Sequence, residues 1–202
     1  MSDAFWPKHV QARFDSIPVN PRENDYYAPY NKLLYSLFPA DTPFTVAPQS
    51  YPLPESRESL DFLIEYQILL DNVPVFILEI KSITKFAFVS SREEADQQIR
   101  KRLRDLVDVC PLLQLHAVSA FGTKLCFYVA SSGQRRMTVT PARINADAEL
   151  LVDTAPRARW DCDILEEQGA IRFRDVIEQI KKGCADLGKL SSARMSLSLR
   201  IT

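Results

Sequence analysis

Ser59-Leu60-Asp61-Phe62-Leu63-Ile64-Glu65-Tyr66-Gln67-Ile68-Leu69-Leu70, then Asp71-Asn72, then Val73-Pro74-Val75-Phe76-Ile77-Leu78-Glu79-Ile80-Lys81-Ser82-Ile83, is the stretch that decides the fold. Both arms are rich in β-branched, aromatic and aliphatic residues, and Asp71-Asn72 is a turn signal. The segment therefore predicts a long β-hairpin, residues 59–70 paired with 73–83. Each arm is apolar on both faces, which predicts a place in mid-sheet with cover on two sides. Asp61, Glu79 and Lys81 interrupt that apolarity. A buried charge is costly unless it is paired, hydrogen-bonded or on a metal. With the turn near 71–73, pairing sets Asp61 opposite Lys81 or one residue away, and Glu79 opposite Leu63 or Glu65. Glu79 and Lys81, two apart, share a strand face. The three groups then gather at one end of one face, within roughly 5–8 Å. A slip of one residue would disperse them. Glu65 has the parity of Asp61 and is its alternative.

Upstream, Tyr30, Leu33, Leu34 and Leu37 predict a helix from about Pro29 to Phe38, with Pro39 as its stop. Residues 1–25 read as an irregular lead-in. The proline-dense residues 39–58 allow at most a short edge strand around 44–47. Downstream, Ser91 with Glu94 forms a capping-box pattern, and Ala95, Ile99, Leu103, Leu106, Val107 and Cys110 form an apolar stripe. That predicts a helix to about Cys110, ended by Pro111. Strands are predicted at 115–121 and 124–130 around Gly122-Thr123, with a third near 136–140, and a loop at 141–160. A short helix at 161–168 closed by Gly169 and a longer one at 171–187 follow. The tail alternates Met195, Leu197, Leu199 and Ile201 with polar residues, which reads as an edge strand or a disordered end. The expectation is a mixed α/β domain over 26–190, a central β-sheet flanked by helices on both faces, with a tail at 191–202.

The chain has 202 residues, is 46% apolar and 25% charged, and carries a formal net charge of −1. No overall positive field draws it to nucleic acid or membrane, so such binding needs a local patch. No run approaches the ~18 apolar residues of a membrane helix, and the start lacks a signal peptide. The expectation is no membrane partner and intracellular residence, in nucleus or cytoplasm. Cys110, Cys126, Cys162 and Cys184 are dispersed, and His9 and His116 are the two histidines. This does not suit a Cys/His zinc site or a disulfide framework, and the cysteines read as buried thiols. The five glycines form no phosphate-cradling loop and no nucleophile elbow. Carboxylates, lysine and an oxygen-seeking metal remain.

Two adjacent carboxylates favour a divalent cation with a preference for oxygen, magnesium or manganese. Such an ion offsets charge growing on a phosphate, and a nearby lysine holds the attacking water or stabilises the charged transition state. Asp61 followed by Glu79-Ile80-Lys81 at the end of an apolar strand resembles the motif of the PD-(D/E)xK nucleases, the restriction-endonuclease-like superfamily. Ser59-Leu60-Asp61-Phe62, Phe76–Lys81, Arg92–Arg102, Ser119–Thr123 and Trp160–Asp163 are similar to fungal members, over about residues 25–187. The residue before Asp61 is Leu60 rather than proline. The resemblance implies magnesium or manganese on Asp61, Glu79 and the Ile80 carbonyl, with Lys81 assisting the attacking water. It implies a catalytic glutamine on the next helix, Gln98 or else Gln97, and a glutamate near the first helix, for which Glu23 is the candidate. The implied activity is metal-dependent hydrolysis of DNA or RNA, DNA being the expected partner and a homodimer a further one.

Blander readings compete. Taken alone, Glu79-Ile80-Lys81 is a solvated strand end. Arg100, Lys101 and Arg104, with Arg102 between them, are phosphate-steering groups beside the metal or simply a solvated helix face among Glu93, Glu94, Asp96 and Asp105. Lys181-Lys182 is a second basic pair. Asp161 and Asp163 read as helix caps, and His116 as a buried or edge histidine. The alternative function is a catalytically silent module binding nucleic acid or protein.

Overall fold

The computed structural model describes residues 5–52, 62–131, 137–147 and 149–198, with side chains described at 5–48, 67–131, 137–147 and 149–189. The predicted hairpin forms: β2 (Phe62–Leu70) and β3 (Val73–Lys81) pair antiparallel. Asp71 (φ 51°) and Asn72 (φ 65°) both adopt the left-handed conformation. Their short polar side chains tolerate it, and a turn of this hand matches strand twist. Asp61 and the two residues before it lie outside the described residues. β3 stops at Lys81, and residues 83–85 form a short 3-10 turn instead of continuing the strand.

Strands β1 (Phe44–Pro52), β2, β3, β4 (Gln114–Phe121), β5 (Lys124–Ser131) and β6 (Thr138–Thr140) lie in that spatial order, and the two-residue β7 (Cys162–Asp163) joins β5. The result is an open seven-stranded sheet, antiparallel except between β3 and β4. β1 is longer than the predicted edge strand, and its outer position accommodates Pro48 and Pro52, which cannot donate to a further neighbour. Helix α3 (Val89–Leu106) carries the chain across from β3 to its parallel neighbour β4.

Among the described residues four α-helices flank the sheet. Alternation along β3 sorts its side chains. Phe76, Leu78 and Ile80 join a core built with α1 (Lys8–Asp15), α2 (Tyr27–Leu37) and α4 (Glu167–Ser198), through residues such as Phe14, Tyr30, Leu33 and Phe173. Ile77 joins the opposite core, with Ala95, Ile99 and Leu103 of α3, Phe121, Tyr128 and Trp160. Burying each large apolar side chain stabilises by about 1.5–3 kcal/mol, so the sheet is held from both faces.

Several expectations need correction. Residues 1–25 are not an irregular lead-in: α1 forms there, Val10 and Phe14 are buried, and Trp6 Nε1 donates to the Ile164 carbonyl at 2.7 Å. α3 starts at Val89, before the supposed Ser91–Glu94 capping box, and ends at Leu106. The Glu94 carboxylate does not reach back to Ser91, because Lys81 and Gln98 occupy it. Residues 161–168 are not a helix closed by Gly169. Gly169 lies inside α4, where any side chain would collide with the Asp163 carbonyl oxygen. Glycine there permits close packing of helix on strand. The tail through Ser198 continues α4 and is not an edge strand. No helix among the described residues is long and apolar enough to cross a membrane.

Candidate functional site

Glu79 and Lys81 occupy the α3 face of β3 at its carboxyl end, beside the carboxyl end of β4. Crevices at such ends are where open α/β sheets hold ligands. Glu79 is 1% exposed and Lys81 8%. Glu79 stands opposite Glu65 in the β2 register and beside the buried Ser119 in β4. The Glu65 position is one of the two expected from the turn. Ile80, between the two charged residues, sends its side chain into the opposite core. Asp61, the other expected carboxylate, is outside the described residues.

The backbone at Lys81 is held firmly. Gly122 N–H donates to the Lys81 carbonyl at 2.8 Å, and the Tyr30 hydroxyl donates to the Gly122 carbonyl at 2.7 Å. Gly122 has φ +62°, and a Cβ there would lie 2.8 Å from the Tyr26 hydroxyl oxygen and 2.9 Å from Ile83 Cβ. Only glycine suits both conditions. The Ser82 hydroxyl donates to the Pro21 carbonyl at 2.5 Å, and Glu23 pairs with Lys85 at 3.3 Å. The chain before α2 therefore docks directly after Lys81. Glu23, the glutamate that the resemblance implies, accepts from Ser82 N–H at 3.4 Å.

Helix α3 closes over this end. Lys81 Nζ lies 3.5 Å from Glu94 Oε1, and Gln98 Nε2 donates to the same carboxylate oxygen at 3.0 Å. Gln98 Oε1 is buried and accepts no hydrogen bond among the described residues. The structure thus brings Glu79, Lys81 and Gln98 to one region, and Gln97 is on the exposed side of the helix. Glu94 was missed from sequence. Its signal was the four-residue spacing to Gln98, which puts both on one flank.

Carboxylate oxygens of Glu79 and the orphan amide oxygen of Gln98 are hard donors, which fit magnesium or manganese in kind. Among the described residues no group of three or more His, Cys, Asp or Glu gathers. Asp61, the expected second carboxylate, lies outside the described residues.

On the other flank of α3, Asp96 is buried among Arg100 Nε (2.7 Å), the Tyr128 hydroxyl (2.9 Å) and the Arg159 guanidinium. Burial keeps Tyr128 protonated by raising its pKa. Arg100 is therefore a buried structural residue as well as a basic one, which corrects its reading as part of a solvated helix face. Lys101 and Arg104 are exposed on the outer side, not beside Glu79. Arg102, four residues after Gln98, is a basic residue on the Gln98 flank.

Other sequence candidates fall elsewhere. Asp161 pairs with Arg172 at 2.9 Å, and Asp163 accepts from the Thr123 hydroxyl at 2.6 Å and Leu165 N–H at 3.0 Å, so neither caps a helix. Lys181 pairs with Glu178 at 2.9 Å. His116 is buried near the opposite end of β4, and burial lowers its pKa. The four thiols are free; Cys110, Cys126 and Cys184 are buried and Cys162 half-buried. Burial pushes Cys126 up to about 12, which makes it inert at neutral pH.

Compared with known proteins, the chain matches no family model, no curated protein and no solved structure.

Proposed function

We propose that the protein is a metal-dependent nuclease of the restriction-endonuclease-like type, cutting DNA or RNA at the end of β3. The observation that carries this reading is the burial of Glu79 and Lys81 on one face of a central strand. Charged groups at that depth act in a low-dielectric setting, where their pull on a cation or a phosphate is strengthened. Supporting it, Glu65 stands opposite Glu79 in register, and like charges directly opposed are unfavourable unless a cation or proton relieves them. The element order also agrees: a helix, three strands with Glu79 on the third, a crossover helix, then more strands.

Asp61, Glu79 and the Ile80 carbonyl would hold magnesium or manganese, with Glu65 the alternative to Asp61. When bound, that ion supplies positive charge against the charge growing on the phosphate. Lys81 donates to the attacking water and keeps a cation near the scissile phosphate. Gln98 Oε1 accepts a hydrogen bond from the same water. The water oxygen attacks phosphorus and gives up a proton to solvent, the bond to the leaving sugar oxygen breaks, and that oxygen takes up a proton from solvent. Incubation with plasmid, single-stranded DNA and RNA, each with magnesium or manganese, tests the proposal: the parent cuts, and Lys81→Ala and Glu79→Ala do not.

A second reading is a silent nucleic-acid or protein-binding module. The Lys81–Glu94 ion pair favours it, since a lysine engaged with a carboxylate is less available to water. An absence of cutting with metal still bound by the parent and not by Glu79→Ala would select it.

A further inference from the structure

The outer flank of α3 carries a recess of about 320 Å³, lined by Gln97, Arg100, Lys101, Arg104 and Arg143. Every lining side chain is a hydrogen-bond donor, and four of the five are cations. We propose that this recess binds a phosphate group, and that in the bound polymer this is a phosphate of the nucleic-acid strand. The identity of the polymer rests on the nuclease reading; the affinity for phosphate does not.

The recess is built, not incidental. Arg100, 5% exposed, donates from Nε to Asp96 at 2.7 Å and from a terminal nitrogen to the Pro141 carbonyl at 2.7 Å, and its guanidinium lies over the Tyr128 ring at 5.4 Å. Its other terminal nitrogen has no acceptor among the described residues. Arg159 also binds Asp96 and donates to the Ala142 carbonyl at 2.8 Å. Two guanidiniums thus share one buried carboxylate, leaving a positive charge in the wall of the recess. The same two arginines grip the carbonyls of Pro141 and Ala142, and so fix the chain where Arg143 follows.

A basic helix face with interleaved acids is ordinarily self-neutralised. Here three of those acids are engaged elsewhere. Glu93 accepts from the Thr154 hydroxyl at 2.7 Å, Glu94 faces Lys81, and Asp96 is taken by Arg100 and Arg159. Lys101, Arg104 and Arg143 make no ion pair among the described residues, and Asp105, one turn on from Lys101, makes none either. A convergent set of donors without an internal anion is a match for phosphate oxygens, which guanidinium groups bind in fork geometry. The net charge of −1 conceals this local field. Neither Glu79 nor Lys81 lines the recess, so a phosphate here would position a strand rather than react.

The test is binding in EDTA, where cutting is suppressed, by fluorescence anisotropy with labelled single-stranded oligonucleotides bearing a 5′ phosphate or a 5′ hydroxyl. Inorganic phosphate serves as competitor. Lys101→Ala with Arg104→Ala, and separately Arg143→Ala, should each weaken binding about tenfold. Each lost phosphate contact should reduce the slope of log affinity against log salt by roughly 0.7. Lys181→Ala with Lys182→Ala should bind like the parent. A preference for the 5′-phosphate oligonucleotide, with competition by inorganic phosphate, identifies a terminal phosphate as the ligand. Equal binding identifies an internal phosphodiester. The proposal is overturned if the parent binds nothing, if the recess variants bind as it does, or if the Lys181/Lys182 control loses as much. Cutting by recess variants whose binding is unchanged would reject the recess and keep the nuclease. Lost binding in a protein that never cuts would do the reverse.

Discussion

Lys81, the last residue of β3, lies 3.5 Å from Glu94 on α3, and that contact joins the strand carrying the candidate chemistry to the helix that covers it. Glu94 is half exposed and Lys81 nearly buried. An ion pair with one exposed partner contributes at most about 1 kcal/mol. Its weight is in placing the ammonium and, on the proposed nuclease reading, in offsetting the repulsion that a divalent cation would exert on it. Glu94→Gln is therefore expected to leave the melting temperature within a few degrees of the parent and to reduce cleavage less than about tenfold, or 1.4 kcal/mol of barrier. A loss as complete as that of Lys81→Ala would contradict this division of roles.

The Asp96 network has the opposite balance. Two arginines and a tyrosine converge on one buried carboxylate, so Asp96→Ala leaves desolvated guanidiniums without their anion. Breaking such a buried group costs about 3–5 kcal/mol. Asp161→Ala, which removes an exposed pair with Arg172, should cost under about 1 kcal/mol. Chemical denaturation of the two variants beside the parent measures both, and equal losses would show that the Asp96 cluster is not a brace.

His116 gives a pH dependence of defined sign. Burial lowers its pKa below the ordinary value of 6.5, so the folded protein binds this proton less well than the unfolded chain. Its contribution is complete above about pH 6.5 and is lost as the pH falls through the lower folded value. The parent should lose melting temperature between about pH 7.5 and 5.5. His116→Leu, which cannot titrate, should lose less over the same interval. An equal fall in both would assign the dependence to other groups.

How far these features were legible follows from the range of the interactions behind them. The hairpin was readable because Asp71-Asn72 and its flanking residues act locally, and the observed Glu65–Glu79 pairing was one of two registers the turn allowed. α1 was missed although Trp6, Val10 and Phe14 recur at a spacing of four. What holds that segment is distant, the Ile164 carbonyl reached by Trp6. Gly169 read as a helix stop because glycine often ends helices, whereas here it admits the Asp163 carbonyl. The tail's alternation suggested a strand, yet no proline interrupts α4 from Glu167 to Ser198. Of the candidate site, Glu79 and Lys81 were singled out as charges in an apolar strand, and Gln98 was implied by the resemblance with Gln97 as its alternative. Glu94 and the pinning of Arg143 depend on how α3 rotates against the sheet, which no local pattern specifies.

The most direct test of the account is metal-dependent cleavage by purified parent protein and by Glu79→Gln, with plasmid, single-stranded DNA and RNA as substrates. The parent should cut at least one of them with magnesium or manganese, EDTA should stop it, and Glu79→Gln, folded by circular dichroism, should cut at least about a hundredfold more slowly. Undiminished cutting by Glu79→Gln, or no cutting and no metal binding by the parent, would contradict it.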